Sequence, residues 1–463
     1  TQLFPHMAVS GGVLANDVAP LSPAMALDAL PHHLRQAVDT NTPLPEQWAN
    51  VLRWLYVDPE WHSRCQAVLD ALNRHGTAIF LSRDHTRRLF TQDKVSISRL
   101  EGFAQCPYRH FVNYGLKPVS RREYEFDPAD VGDFYHAAME GYAALALKEP
   151  DFPDLPDEKI HALMDTVLLP LTTAWADGPL NETPSLRLQG EKYRRTVHRA
   201  AWMFTHHAQH SRFRTVGEEV VFGEEDGLPP VVLTLHDGRK IALRGKIDRI
   251  DRWEGDEGVY LLVSDYKSSH RDIDPTRLWY GLQLQLLLYL QAACEGLDGN
   301  PAGAFYFTIK DPMVDTADVK EAAEKAIAKK LHLKGIVLAD VDVVEALDSE
   351  PGYSFTKIFN ADCSVASSSD GYTPEEMAAL LAHAKKMAAE LADRIRSGEI
   401  TPSPAVISDW NACQWCDCAG VCKLDTSIPG LEKRELPPLS KQELLTRMAN
   451  DTDAPGNEED TSP

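Results

Sequence analysis

The chain has 463 residues, 43% hydrophobic and 25% charged, ordinary globular material with room for about two to four domains. Its net charge of −22 excludes a uniformly basic nucleic-acid binder. No apolar run is long enough to span a bilayer and the N-terminus lacks a signal-peptide pattern, so the expected compartment is the cytoplasm.

In that compartment the eight cysteines read as thiols or metal ligands rather than a disulfide framework. The first residue is Thr1 rather than Met, and a fragment of a longer chain is expected. Charge is unevenly spread. Ser82 to Tyr124 holds nine Lys/Arg against four Asp/Glu, and Arg187 to Arg214 holds seven against one, with four His. A solvated helix face and a lined nucleic-acid channel explain such tracts equally well.

Residues 1–95 are Ala-, Leu- and His-rich, with helical patterning around Glu46 to Arg74. The phosphate-binding pattern Gly-x4-Gly-Lys-Ser/Thr is absent from the whole chain. Ser98 and Glu101 have capping-box spacing and predict a helix start. Pro107 breaks or restarts that helix and Gly115 ends it. Cys106 sits at the break. Asp130 to Leu147 is a second predicted helix containing His136, and Glu158 to Arg214 reads as largely helical.

A β-rich section begins near Glu218. Its centre is a predicted hairpin from Gly245 to Lys267, with an acidic, Gly-containing turn at Glu254 to Gly258. Asp265 and Lys267 are two apart and share one face of the second strand. Asp248 reaches the same face from the first. Two carboxylates and an ammonium among Leu, Ile and Val are unfavourable unless charge is compensated, and a divalent metal on carboxylate oxygens does that. Taken alone the Asp-x-Lys triplet is common, and a surface hairpin with exposed ion pairs explains it.

After Lys267 a helix is predicted over Pro275 to Glu295, with Gln285 and Tyr289 on one face. A short strand at Gly303 to Ile309 and an acidic helical stretch follow. Strands, helix and strand together predict an α/β core with helices on a central mixed sheet. Thr373 to Ser397 is a clear helix. Four cysteines fall between Cys413 and Cys422, and the Cys-x2-Cys spacing lets two thiolates meet one metal centre, zinc or iron–sulfur. Beyond Leu436 the pattern fades, and the acidic tail from Asn450 is expected to be disordered.

The order His136, Asp248, Asp265-Tyr266-Lys267, Gln285-x3-Tyr289 resembles the RecB-like branch of the PD-(D/E)xK nucleases, whose core is restriction-endonuclease-like. Cys106 before that core and Cys413-x2-Cys416-x5-Cys422 after it resemble the iron–sulfur staple of the B subunits of AddAB-type helicase–nucleases. The resemblance spans about residues 80–436. It implies three segments: 1–95 as the helical tail of a helicase-like domain, 96–436 as the nuclease domain and 437–463 as an extension.

It also implies roles. His136, Asp248 and Asp265 would hold Mg²⁺, with the Tyr266 carbonyl as a further ligand. Lys267 would orient the attacking water, and Gln285 and Tyr289 would position the DNA strand. Cys106, Cys413, Cys416 and Cys422 would hold a structural [4Fe-4S] cluster, with Cys65, Cys294, Cys363 and Cys418 dispensable. Arg109 and His110, beside Cys106, would help bind DNA ends. The implied activity is exonucleolytic processing of double-strand break ends for recombinational repair, beside an AddA-like helicase–nuclease A subunit. A stand-alone iron–sulfur exonuclease, a catalytically silent iron–sulfur DNA-binding scaffold and a zinc-stapled structural protein are the rival readings.

Overall fold

The structure, a computed structural model, describes residues 22–72, 78–90, 93–119, 128–173, 178–314, 326–367, 369–426, 428 and 430–452. The chain divides into two units, residues 1–77 with 425–432 and the remainder. In the first, helices α1 (Pro23–Thr40), α2 (Glu46–Val57) and α3 (His62–Leu72) pack around Leu30, Leu34, Trp48 and Leu55. The Ser22 hydroxyl accepts the Met25 N–H at 3.3 Å and opens α1. Asn41 closes it with φ 47°. Cys65 is buried in this core, where a free cysteine behaves as a small hydrophobe.

The second unit is built on a sheet whose longest strand, β4 (Lys240–Gly255), pairs with four neighbours. β1 (Lys94–Ser96), β2 (Arg214–Phe222) and β3 (Val232–Thr234) pair with β4. On its other edge lies β5 (Gly258–Lys267), followed by β6 (Asn300–Thr308), β7 (Lys334–Leu338) and β8 (Gly371–Tyr372). β4–β5 is antiparallel and β5–β6 parallel, so the sheet is mixed, as the sequence predicts. The β4–β5 turn is Asp256-Glu257. β9 (Ala405–Ile407), β10 (Trp410–Asn411) and β11 (Arg434–Glu435) form a separate small sheet.

Helices cover both faces. In chain order they are α4 (Arg83–Leu89), α5 (Ile97–Gln105), α6 (Pro107–His110), α7 (Pro128–Ala146), α8 (Asp157–Thr173), α9 (Pro184–Gln209), α10 (Pro275–Trp279) and α11 (Gln285–Leu297). The long helix Pro374–Arg396 follows, opened by a Thr373/Glu376 capping box. Strand alternation sorts the faces. Arg249 lies 4.9 Å over the Phe204 ring of α9, whereas Asp265 meets Gln285 of α11.

Several local expectations give way. The N-cap of α5 is Ser96, not Ser98, and Glu101 points elsewhere. The segment from Glu158 to Arg214 is two helices, and Arg214 already belongs to β2. The helix predicted over Pro275 to Glu295 is two, α10 and α11. Between them Gly281 has φ +72°, and a Cβ there would meet Met387 at 2.8 Å and Leu391 at 2.9 Å. Only glycine gives both the turn and that approach. The helix restarts at Pro107 as expected, but runs past Gly115 to Leu116 and is capped by Lys117 with φ 51°. The pattern does not end at Leu436: Lys441–Thr452 is a helix that buries Leu444 and Met448. The acidic end beyond it, and most of the helical stretch predicted after β6, lie outside the described residues.

Candidate active site and cysteine loop

The β4–β5 ladder runs from the turn as far as Arg249 opposite Ser264 and then forks. β4 bends away to pair with β2 through Ile247, Lys246 and Gly245, while β5 stays with β6 through Lys267. The Tyr266 N–H, next in line on the fork, is taken by the Asp248 carboxylate at 2.6 Å. Asp248, Asp265 and Lys267 therefore meet where the strands part. Asp248 and Asp265 are buried, and Lys267 forms an ion pair with Asp265. Burial, and then the charge of Asp265, push the Asp248 carboxyl up to about 7.

His136 arrives from α7. Its Nδ1 lies 3.6 Å from Asp248 Oδ2 and 3.5 Å from Glu219 Oε1. Burial alone would lower its pKa, but the hydrogen bond to Glu219 and the charge of Asp248 hold it above the ordinary imidazole range. Glu219 is a site residue that the sequence reading missed. Among the described residues, His136, Glu219 and Asp248 are the group whose ligand atoms all lie within 4.8 Å. The placement of Glu219 depends on a register shift between Thr215 and Gly217 and on a backbone φ of 53°, rare for a side chain of this kind. That local kink turns Glu219 into the site while Glu218 faces the other side of the sheet. Burial would raise Glu219, but contacts from His136 and Lys246 hold it below the usual carboxylate range. Three carboxylates and an imidazole drawn together fit a hard divalent cation.

Gln285 sits at the start of α11. Its amide Nε2 donates to Asp265 Oδ1 at 2.9 Å and to the Tyr289 hydroxyl at 3.1 Å. Tyr289 is buried and fits over Gly245, where a Cβ would approach its ring to 3.2 Å and that of Phe222 to 2.7 Å. Glu101 completes this wall. Its Oε1 accepts the backbone N–H groups of Leu284 at 2.7 Å and Gln285 at 2.9 Å, satisfying two free donors at the N-terminus of α11. Burial raises the Glu101 carboxyl to about 6. Its spacing from Ser98 suggests a local cap; instead it caps a helix more than 180 residues away.

The Tyr266 phenol points to the opposite face and donates to Glu218 Oε2 at 3.4 Å. There Arg249 binds Asp251 at 2.9 Å and Ser264 at 3.2 Å. Thr215 donates to Asp251 at 2.6 Å. Burial drives the Glu218 carboxyl up to about 9.

The cysteines gather at the far end of α5. Cys106 ends that helix in an extended conformation, and Pro107 starts α6. Burial raises the Cys413 and Cys422 thiols, and charge on Cys106 and Cys416 raises them further, so the four predicted ligands share one neighbourhood. Four soft thiolates suit zinc or an iron–sulfur cluster. The two chain ends are also tied directly. Arg434 donates to the carbonyls of Ala104, and of Gln105 at 3.5 Å. The Tyr108 hydroxyl donates to the Val421 carbonyl at 3.5 Å. Cys418 is no bystander: it is buried, its thiol lies 3.9 Å from Asn113 Oδ1 and it interacts with Cys416.

His110 does not suit the phosphate-contact role. It is buried, accepts a bond from Arg99 Nε at 2.9 Å, and burial lowers its pKa to about 3. A neutral, enclosed imidazole adds nothing to a basic surface. Arg109 bonds Gln105 at 3.2 Å. On α9, Arg195 is exposed and Arg194 half-buried, while Arg199 pairs with Asp311 at 3.6 Å.

No helix among the described residues is long and apolar enough to cross a membrane. Residues 21–71 match the fifth domain of the ATP-dependent helicase/deoxyribonuclease AddB. Relatives named as the B subunit of an ATP-dependent helicase/deoxyribonuclease include proteins of Alkaliphilus metalliredigens, 30% identical over 97% of this chain and 41% of the relative, and Acetivibrio thermocellus, 33% identical over 85% and 36%. A third, from Moorella thermoacetica, is 35% identical over 87% and 36%. The chain thus spans about two-fifths of the length of these relatives. Residues 94–423 match the PD-(D/E)XK nuclease superfamily, an extent that takes in the whole sheet and the cysteines on either side of it, and the chain belongs to that superfamily.

Proposed function

We propose that this chain is the nuclease-bearing part of a helicase–nuclease B subunit, and that it hydrolyses phosphodiester bonds of single-stranded DNA with Mg²⁺. The observation that carries the reading is the fork between β4 and β5, which brings Asp248, Asp265 and Lys267 together within reach of His136 and Glu219. His136, Glu219, Asp248 and Asp265 would hold the ion, with the Tyr266 carbonyl as a further donor. When bound, Mg²⁺ supplies Lewis acidity and neutralises charge at the scissile phosphate.

The remaining steps belong to the side chains. Lys267, now paired with Asp265, turns its ammonium to the phosphate, orients the attacking water and stabilises the charge that develops. Gln285 fixes the Asp265 carboxylate and Tyr289 fixes Gln285, so this pair places the strand by holding the group that receives it. Cys106, Cys413, Cys416 and Cys422 would hold a [4Fe-4S] cluster with a structural task, closing a loop of more than 300 residues. Following the relatives' printed names, the partner would be an AddA-like helicase–nuclease A subunit, the setting the cytoplasm and the substrate a strand unwound from a double-strand break.

The test is cleavage of a labelled single-stranded oligonucleotide by the intact complex, with and without Mg²⁺. Asp265→Ala is expected to abolish Mg²⁺-dependent cutting of the strand this subunit handles, while the thermal melt stays close to wild type. Undiminished cutting of that strand sinks the assignment. Loss of the melt would show that Asp265 is structural.

A further inference from the structure

We propose that a groove beside Lys267 carries the single strand of DNA to one side of the scissile phosphate, with a base against Tyr193 and phosphates on Lys192 and Lys310. This rests on the nuclease reading above and adds the path of the substrate.

Three cavities meet at Lys310 and Asp311, just after β6. The middle one, of about 430 Å³, is bounded by Ser268, the neighbour of Lys267, and by Tyr135, Lys192 and Tyr193. That volume lies within the range of about 300–1,000 Å³ usual for ligand sites. The Ile309 N–H donates to the Lys267 carbonyl at 2.8 Å, so the groove floor is continuous with the catalytic strand.

The lining is cationic in a chain of net charge −22. Lys192, Arg195, Arg199, Lys310 and Lys330 line the three cavities against one carboxylate, Asp311. That carboxylate is held by Arg199 at 3.6 Å. Lys192 and Lys310 are exposed, and among the described residues neither forms an ion pair. Tyr193 is a fixed plate rather than a loose side chain. Its ring meets Tyr135 edge-on, centroids 6.1 Å apart at 83°, and its hydroxyl accepts the Gln189 amide at 2.5 Å. An immobilised aromatic between amines is the composition that single-stranded nucleic acid uses, stacking on the ring and pairing along the backbone. An ordinary solvated helix face supplies the charges but has no cause to fix the ring.

The test is binding of a fluorescein-labelled twenty-nucleotide oligo-dT to the full-length protein in EDTA, measured over a range of salt. Tyr193→Leu is expected to weaken binding about tenfold, the low end of the loss for one stacked base, and Tyr193→Phe to bind within about twofold of wild type. Lys192→Gln with Lys310→Gln, both on the surface, is expected to flatten the log–log salt dependence by about 0.7 per lost contact. Wild-type affinity in Tyr193→Leu, or an unchanged salt slope in the lysine pair, overturns the groove. Cleavage in Mg²⁺, run in parallel, separates the two readings. A wild type that binds through Tyr193 without cutting refutes the nuclease and leaves the groove. A wild type that cuts, with variants that bind as well as it does, refutes the groove alone.

Discussion

Glu101 and Gln285 lie far apart in sequence, yet the Glu101 carboxylate accepts the Gln285 backbone N–H at 2.9 Å while the Gln285 amide holds Asp265. The catalytic carboxylate is thus positioned through α5. Glu101→Ala leaves two helix N-terminal donors without a partner, at a cost of about 1–3 kcal/mol for buried groups. It is expected to lower kcat for DNA cleavage severalfold with little change in KM. Glu101→Gln keeps the accepting oxygen and removes only the charge, so it should restore most of the rate. A purely structural Glu101 would give equal losses of melting temperature and no recovery of kcat in the glutamine variant.

Glu219 shares the His136–Asp248 cluster. If it helps hold the ion, Glu219→Ala should raise the Mg²⁺ concentration for half-maximal cleavage by at least about tenfold, the scale seen when supporting groups of a metal site are lost. Rates at saturating Mg²⁺ should recover partly. A half-maximal concentration equal to wild type would leave Glu219 as no more than a partner for Lys246.

For the cysteines, iron and sulfide analysis after anaerobic purification should find both elements in the wild type. Serine at Cys106, Cys413, Cys416 or Cys422 should lower iron content and the melting temperature together. Cys65→Ser, Cys294→Ser and Cys363→Ser should keep iron. Cys418→Ser should keep iron as well but melt lower, because its thiol is buried against Cys416 and Asn113. Stoichiometric zinc in a colourless protein would refute the iron cofactor, and colour that survives Cys106→Ser would refute the ligand set.

Glu218 gives a pH signature. Its folded pKa of about 9 lies above the unfolded carboxylate value near 4.3, so the folded state binds the extra proton. The stability this contributes is fully present below the unfolded pKa and is lost as pH rises through the folded one. Urea midpoints of the wild type should therefore fall between pH 6 and pH 8.5. Glu218→Gln, neutral throughout, should flatten that fall. Parallel profiles for the two proteins would show that Glu218 ionises freely.

Much of this site was readable in the sequence because strand periodicity fixes which residues share a face: Asp265 and Lys267 could hardly be elsewhere. His136 and the cysteines became legible only as an ordered set, through the family resemblance. Glu219 was hidden because its orientation depends on a register shift and a positive φ, and a two-residue period carries neither. Glu101 was misread because capping spacing is a local signal, whereas its partners come from a helix brought close by tertiary packing. His110 looked like part of a basic surface because sequence does not show that Arg99 and two aromatic rings enclose it.

Arg434 closes over the final carbonyls of α5, and this sets a timetable. α5 leaves the ribosome more than 300 residues before Arg434, which at about 5–20 residues per second is a wait of at least some fifteen seconds. Until Arg434 arrives, the helix that seats Gln285 lacks its C-terminal clasp, and a nascent chain should be unable to cut DNA. Ribosome-bound chains stalled before Arg434 should therefore be inactive on oligonucleotides that the released protein degrades, and full activity in the stalled chains would show that the clasp has no part in switching the nuclease on.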